Sequence, residues 1–321
     1  MRTTTGRVFW QPTYEADRFL PEGPRLVTRA GADHLVWVNI QTGSEAVTGA
    51  IHHGRLAELP RLGVIPAPGR PGFVLPTTGN RVLVGLTKEL RICDLDRGEW
   101  SQPLATIPDT NTRTIINDAE VVPGGKAIVF GTKDTQFKDP IANLYLYTVD
   151  DNRVSLLADK QTCSNGKVFR QEAGGLILFD IDTPTRKVVR YRLDVATRTA
   201  TPDGVALDLA DQVGFPDGMC DCGDGTVIIA FYNPDFAQAG KAIRFDLATG
   251  TAVEEWTTPG SPRVTCPLLV KQPDGVKLIL TTATEGMSAD MRAKCPNAGC
   301  LFIADTQLPT CPEPQLVRWP G

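Results

Sequence analysis

Three stretches decide the fold: NDAEVVPGGKAIVFGT (117–132), PDGMCDCGDGTVIIAFYN (216–233) and CPLLVKQPDGVKLILTTA (266–283). Each runs from a polar or thiol-bearing start through a short strand and a glycine-bearing turn into an apolar strand. The strands that follow match as well, as in VVRYRLDVATRT (188–199) and AIRFDLATGTAV (242–253), which end on D-x-x-x-G type turns. Working outward at the same phase, unit starts fall near Glu22, Phe73, Asn117, Asn165, Asp217 and Cys266, at spacings of 51, 44, 48, 52 and 49 residues. Repeats of about 40–50 residues with four strands each are the signature of a β-propeller. Six starts predict an all-β fold of six four-stranded antiparallel blades around a central channel. A length of 321 residues alone suggests two domains; the repeat outranks that prior and predicts one closed propeller over 1–321. Either GRVFWQP (6–12) or the tail QLVRWP (315–320) is expected to complete an end blade and hide its edge.

Composition agrees. The 30 Gly and 25 Pro cut the chain into short pieces rich in β-branched and aromatic residues, among them HLVWVNI (34–40), NRVLVGL (80–86), GLILFDI (175–181) and TVIIAFY (226–232). Helical periodicity is weak throughout. A net charge of −4 gives no electrostatic footprint for nucleic acid or an anionic membrane. No apolar run is long enough to span a bilayer as a helix, and the first twelve residues lack the apolar core of a secretion signal, so the expected compartment is the cytoplasm. The eight cysteines then read as reduced thiols, with a local Cys295–Cys300 bridge as the main exception. His52-His53 and Glu254-Glu255 read as solvated surface pairs, and the five tryptophans as packing.

In a propeller the first strand of every blade lines the channel, so residues at the unit starts converge near one mouth. Four starts carry an oxygen donor: Glu22, Asn117, Asn165 and Asp217. Each stands in a Gly- or Pro-flanked stretch (PEGP, IIND, CSNG, FPDG) that reads as a turn. Carboxylate and amide oxygens are hard ligands suited to Ca²⁺, Mg²⁺ or Mn²⁺. Buried carboxylates without partners are costly, and a cation resolves them.

On these residues the chain resembles the family of senescence marker protein (regucalcin), gluconolactonase and luciferin-regenerating enzyme. The resemblance runs from about Leu20 to Thr306. LPEGPRL leading to LVWVNIQTG matches the family's first blade, NDAEVVPGGKAIVFGT its third and VTCPLLV with LTTATEGM its sixth. The most specific matches are SNGKVFRQEAGGLILFDIDT in the fourth and PDGMCDCGDGTVIIAFYN in the fifth. The resemblance implies a six-bladed propeller holding one divalent metal ion, with Glu22, Asn165 and Asp217 as ligands. Calcium stands first among the ions, with Mg²⁺, Mn²⁺ or Zn²⁺ as alternatives. Asn117 and Asp118 fall where the family meets substrate. Three departures lie on the substrate side: Arg25-Leu26 follows E-G-P where Trp is common, N-D-G-K has become Asn-Asp-Ala119-Glu120, and Ile115 replaces a substrate-binding Arg, leaving Arg113 as the nearest.

The implied function is divalent-metal-dependent hydrolysis of a small lactone, with the cation polarising the carbonyl and Asp217 as the base. Asn117, Asp118 and Arg113 are the expected substrate contacts. The segments 11–20 and 132–141 are expected to form a lid. Cys266 begins a unit at channel phase but has no histidine beside it to make it a nucleophile. Two alternatives stand beside this reading: the same site turned to another hydrolytic or biosynthetic reaction, and a non-enzymatic calcium-binding regulatory propeller.

Overall fold

The computed structural model describes residues 1–59 and 62–319; the last residue of the QLVRWP tail lies outside the described residues. Six sheets form a six-bladed β-propeller. Their innermost strands are Pro21–Arg29, Pro71–Pro76, Thr114–Val121, Ser164–Glu172, Phe215–Asp221 and Val264–Gln272. All six unit starts read from the sequence lie on these strands. Arg7–Trp10 joins blade 6 as its outermost strand, so the N-terminal piece closes the ring. Arg2–Thr5 adds a fifth strand to blade 5, parallel to Ala252–Pro259, a departure from the four-stranded antiparallel pattern. The C-terminal tail, the other candidate for closing an end blade, runs elsewhere. It crosses the lower mouth of the channel, and Val317 bridges in parallel to Thr77 of blade 2.

The apolar runs are explained by where alternate side chains go. A strand exposes successive residues to opposite faces, and here both faces pack against a neighbouring blade. In Arg81–Leu86, Val82, Val84 and Leu86 enter the seam with blade 1 while Leu83 enters the seam with blade 3. In Thr226–Tyr232, Val227, Ile229 and Phe231 face blade 4 while Ile228 and Ala230 face blade 6. The core is therefore six interblade seams, which is why these strands carry no polar face. The D-x-x-x-G turns share one construction. The Asp94 carboxylate accepts from the backbone N–H of Asp96 and Arg97, and that of Asp246 from Ala248 and Thr249. Gly98 and Gly250 close the two turns at φ 68° and 71°.

Two expectations are corrected here. His52 is not solvated: blade 1 packs it under the N-terminal strand, its ring stacked on Trp37 at 5.3 Å and 13°. Neither ring nitrogen has a hydrogen-bond partner, and burial, aided by His53, pulls its pKa down to about 4. Glu254 is also buried, because the parallel strand Arg2–Thr5 lies over it and pairs Arg2 with Glu254. All eight cysteines are free, and Cys300 accepts a hydrogen bond from the buried Arg18 instead of bonding to Cys295.

His52 makes acid stability a measurable consequence. A histidine whose folded pKa is depressed stabilises the fold fully above its unfolded pKa and loses that contribution as pH falls toward the folded one. From pH 7 to 5 the expected loss from His52 is about 2 kcal/mol. His52→Phe, which keeps a ring against Trp37, should therefore lose about 2 kcal/mol less than the parent over that interval in urea titrations. Parallel pH profiles for the two proteins would refute the assignment.

Candidate active site at the channel mouth

Every innermost strand carries a β-bulge near its upper end. The register shifts at Glu22/Arg25, Pro71/Phe73, Ile116/Ala119, Ser164/Lys167, Pro216/Met219 and Val264/Pro267. A bulge re-aims the side chains within it, and Asn117, Asn165 and Asp217 stand inside bulges, with Glu22 at the edge of one. The sequence suggested turns at these positions, and the structure corrects this: they lie within strands. The glycines after Asn165 and Asp217 serve close packing instead, whereas Gly23 after Glu22 faces open space at φ 53°. A Cβ on Gly166 would lie 2.5 Å from the Met219 nitrogen, and one on Gly218 would lie 2.6 Å from Cys266 Sγ. Neighbouring inner strands approach too closely there for any side chain.

Glu22, Asn117, Asn165 and Asp217 line one cavity of about 410 Å³ at the upper mouth. Asn165 is fixed from both sides: its Nδ2 donates to Thr183 Oγ1 at 2.7 Å, and its Oδ1 accepts from Asn117 Nδ2 at 2.7 Å. Thr183 in turn donates to the Pro216 carbonyl at 2.9 Å. Asn117 Nδ2 also reaches the Ser164 carbonyl at 2.9 Å, so its Oδ1 is left free. Beneath Asn165, the buried Lys167 donates to the Asn165 carbonyl at 2.5 Å and to Ser164 Oγ at 3.0 Å, and pairs with the equally buried Asp180 at 3.2 Å.

The electrostatics single out two acids. Burial raises the Glu22 pKa well above its ordinary value, and the nearby Asp217 and Asp118 carboxylates push it further. Asp217 is raised in the same direction, by burial first and then by Asp118. Lys133 opposes both shifts, and its ammonium has no carboxylate or hydrogen-bond partner among the described residues. A half-buried and a buried carboxylate that attract no donor side chain among the described residues, beside amide oxygens, form an all-oxygen set that fits a hard divalent cation. Among the described residues no group of three or more His, Cys, Asp or Glu side chains meets in a metal-holding arrangement; here the acids number two and the other donors are amides.

The other expected contacts lie elsewhere. Arg113 does not line the cavity. It pairs with the buried Asp134 at 2.5 Å and with Asp139 at 2.8 Å. Asp134 also accepts from the backbone N–H of Gln136, Lys138 and Asp139, and its pKa is held low by these bonds against burial. Arg113 thus fixes the segment 134–139, whose first residues line the cavity. Asp118 is absent from the lining, and its Oδ1 is bonded to the Ala119 N–H. Arg25 and Glu120, two of the departures noted in the sequence, meet each other: they pair at 3.1 Å at the lower end of the channel, and Arg25 also donates to the Ala119 carbonyl at 2.8 Å. Burial raises the Cys266 thiol well above its ordinary value, which leaves it a poor nucleophile. Both segments expected as a lid contribute, through Leu20 and through Lys133 to Phe137. Sequence reasoning missed Gln41, Phe215, Tyr232, Pro234 and Glu285. Gln41, Pro234 and Glu285 follow strand ends, Tyr232 ends a second strand and Phe215 begins an inner one, so none stands at the repeat phase of Glu22, Asn117, Asn165 and Asp217.

The fold and this mouth define a class: six-bladed propellers with an acid-and-amide cluster where the inner strands begin. Within that class the chain belongs to the SMP-30/Gluconolactonase/LRE-like family, whose region matches residues 20–284. Regucalcin of Danio rerio is 28% identical over 208 residues, covering 64% of this chain and 67% of that protein. The putative sugar lactone lactonase YvrE of Bacillus subtilis is 30% identical over 191 residues, covering 60% of this chain and 62% of that protein. An uncharacterized protein of Sulfolobus acidocaldarius is matched over only 55% of its length. Among solved structures, a calcium-binding protein, regucalcin, from Agrobacterium tumefaciens superposes with a TM-score of 0.81 at 21% identity, covering 99% of both chains. No helix among the described residues is long and apolar enough to cross a membrane.

Proposed function

We propose that this chain is a divalent-metal-dependent lactone hydrolase, with Glu22, Asn165 and Asp217 holding the cation. The observation that carries the reading is the pair of carboxylates, half-buried Glu22 and buried Asp217, without donor partners among the described residues in a cavity of about 410 Å³. The relatives named as lactonase and as calcium-binding support it. Bound there, the cation supplies Lewis-acid polarisation of a lactone carbonyl. Asp217 accepts a proton from the attacking water at a carboxylate oxygen. As the acyl–oxygen bond of the ring breaks, that proton goes to the ring oxygen and a hydroxy acid leaves. The Asn117 amide, fixed by two hydrogen bonds, orients the ring. Lys133, whose ammonium has no partner among the described residues, holds the carbonyl oxygen as it gains charge. Arg113 acts through the 134–139 segment rather than on the substrate, and Asp118 acts through its charge.

The test is proton release from a panel of lactones by protein stripped with a chelator and reloaded in turn with Ca²⁺, Mg²⁺, Mn²⁺ and Zn²⁺. One ion, calcium first, should restore turnover at least about tenfold over the stripped protein. Equal rates with and without metal would remove the cation from the reaction. Cation binding in calorimetry with no lactone consumed would leave the calcium-binding reading in its place.

A further inference from the structure

Part of the cavity's polar lining is occupied by the protein itself. Gln41 Nε2 donates to the carbonyls of Gly43, Ser44 and Ala46. The Tyr232 hydroxyl donates to the Glu285 carbonyl at 2.9 Å. Thr183 and Asn165 are bonded to each other, and Asp134 is saturated by backbone N–H groups and Arg113. A polyhydroxylated ring needs a partner for nearly every hydroxyl it buries. With the acid pair and the Asn165 amide given to the cation, the groups that remain are Lys133, the Glu285 carboxylate, the amide oxygens of Gln41 and Asn117 and the side chains of Thr135 and Gln136.

The apolar lining is built with more care. Phe137 is 43% exposed and held at φ 52°, a conformation costly for a bulky residue. It persists because Asp134 and Arg113 brace the segment around it, and the Phe137 N–H itself donates to the Asp134 carbonyl at 2.9 Å. The ring meets Phe215 edge to face at 6.0 Å, and Phe215 is backed by the Arg186 guanidinium at 4.6 Å. Blade 3 thereby carries an aromatic ring across blade 4 to the start of blade 5. Leu20 and Pro234 add to the apolar lining.

Resting on the lactonase reading, we propose that the substrate is a lactone bearing an apolar substituent, an alkyl chain or an aryl ring, and that Phe137 and Phe215 receive that substituent. Phe137 is a specificity-determining residue braced by Asp134 and Arg113. The cluster of acids and amides takes the ring carbonyl, and the aromatic pair takes what the ring carries.

The decisive comparison uses γ-phenyl-γ-butyrolactone, unsubstituted γ-butyrolactone and glucono-1,5-lactone with the calcium-loaded full chain and its Phe137→Asn variant. Asparagine tolerates the positive φ, so the segment keeps its course. The phenyl lactone should have the highest kcat/KM, and the variant should lose about tenfold on it while changing less than about twofold on γ-butyrolactone. Calorimetry with two lactams that are not hydrolysed, 5-phenyl-2-pyrrolidinone and gluconolactam, separates this proposal from the lactonase reading. If no lactone is consumed but the phenyl lactam binds more tightly and the variant loses that preference, the reaction is wrong and the apolar subsite stands. Preference for the polyhydroxylated ligands, no preference between the lactams, or an equal loss on every ligand in the variant would overturn the proposal.

Discussion

Asp217→Asn is expected to abolish cation binding and turnover while making the metal-free protein more stable. The two effects have one cause. Buried Asp217 and half-buried Glu22 line the same cavity, and each disfavours the other's charge. Asparagine keeps the shape and one carbonyl oxygen but removes a negative charge, so Glu22 no longer faces a buried like charge. In chelator, the thermal midpoint of the variant should exceed that of the parent by roughly 3 °C or more. Calcium reverses the order: it raises the midpoint of the parent by mass action and leaves the variant where it was. The affinity loss should be at least about a hundredfold, more than the loss of an outer-shell partner costs, and lactone turnover should fall by about a thousandfold. A variant that keeps its calcium-induced shift, or that is less stable than the parent in chelator, would show that Asp217 is not a ligand held against repulsion.

Much of this architecture is legible in the amino-acid sequence, for a physical reason. Strands packed on both faces must be apolar on both, so TVIIAFY and GLILFDI stand out as runs, and their recurrence counts the blades. The convergence of Glu22, Asn117, Asn165 and Asp217 on one cavity follows from repeat phase alone. What the sequence hides depends on contacts between chain segments far apart along it. His52 is buried because Trp10, 42 positions earlier, packs against it, and Glu254 because residues 2–5 lie over it. Arg113 stands near the expected substrate position, yet its geometry ties it to Asp134 and so to a segment rather than a ligand. The glycines of SNG and PDG read as turn formers because the sequence does not display the neighbouring strand that excludes a side chain. Arg25 and Glu120 read as separate departures from the family pattern, and only the folded chain sets them against each other.

Lys167→Met is expected to cost about 3–5 kcal/mol, the largest stability loss from any single change in the channel wall. Lys167 and Asp180 are each 1% exposed. Asp180 accepts from Gln161 Nε2 at 2.5 Å and from Ser164 Oγ at 3.3 Å, yet burial still raises its pKa, because Lys167 and these donors only partly offset the lost water. Without the lysine, that carboxylate must protonate or remain charged and unpaired. A carboxyl whose folded pKa is raised is most favourable at low pH and loses stability as pH rises through that pKa, so the loss should be smaller at pH 5 than at pH 8. Adding Asp180→Asn removes the stranded charge, keeps an acceptor for Gln161, and should recover more than half of the loss in urea titrations. Cation affinity should not recover with it. Lys167 also pins the Asn165 carbonyl and Ser164 across the bulge, and the double variant still lacks that anchor. Stability restored without affinity would assign Lys167 to positioning Asn165, while affinity that returns in step with stability would reduce the lysine to the counter-charge of Asp180.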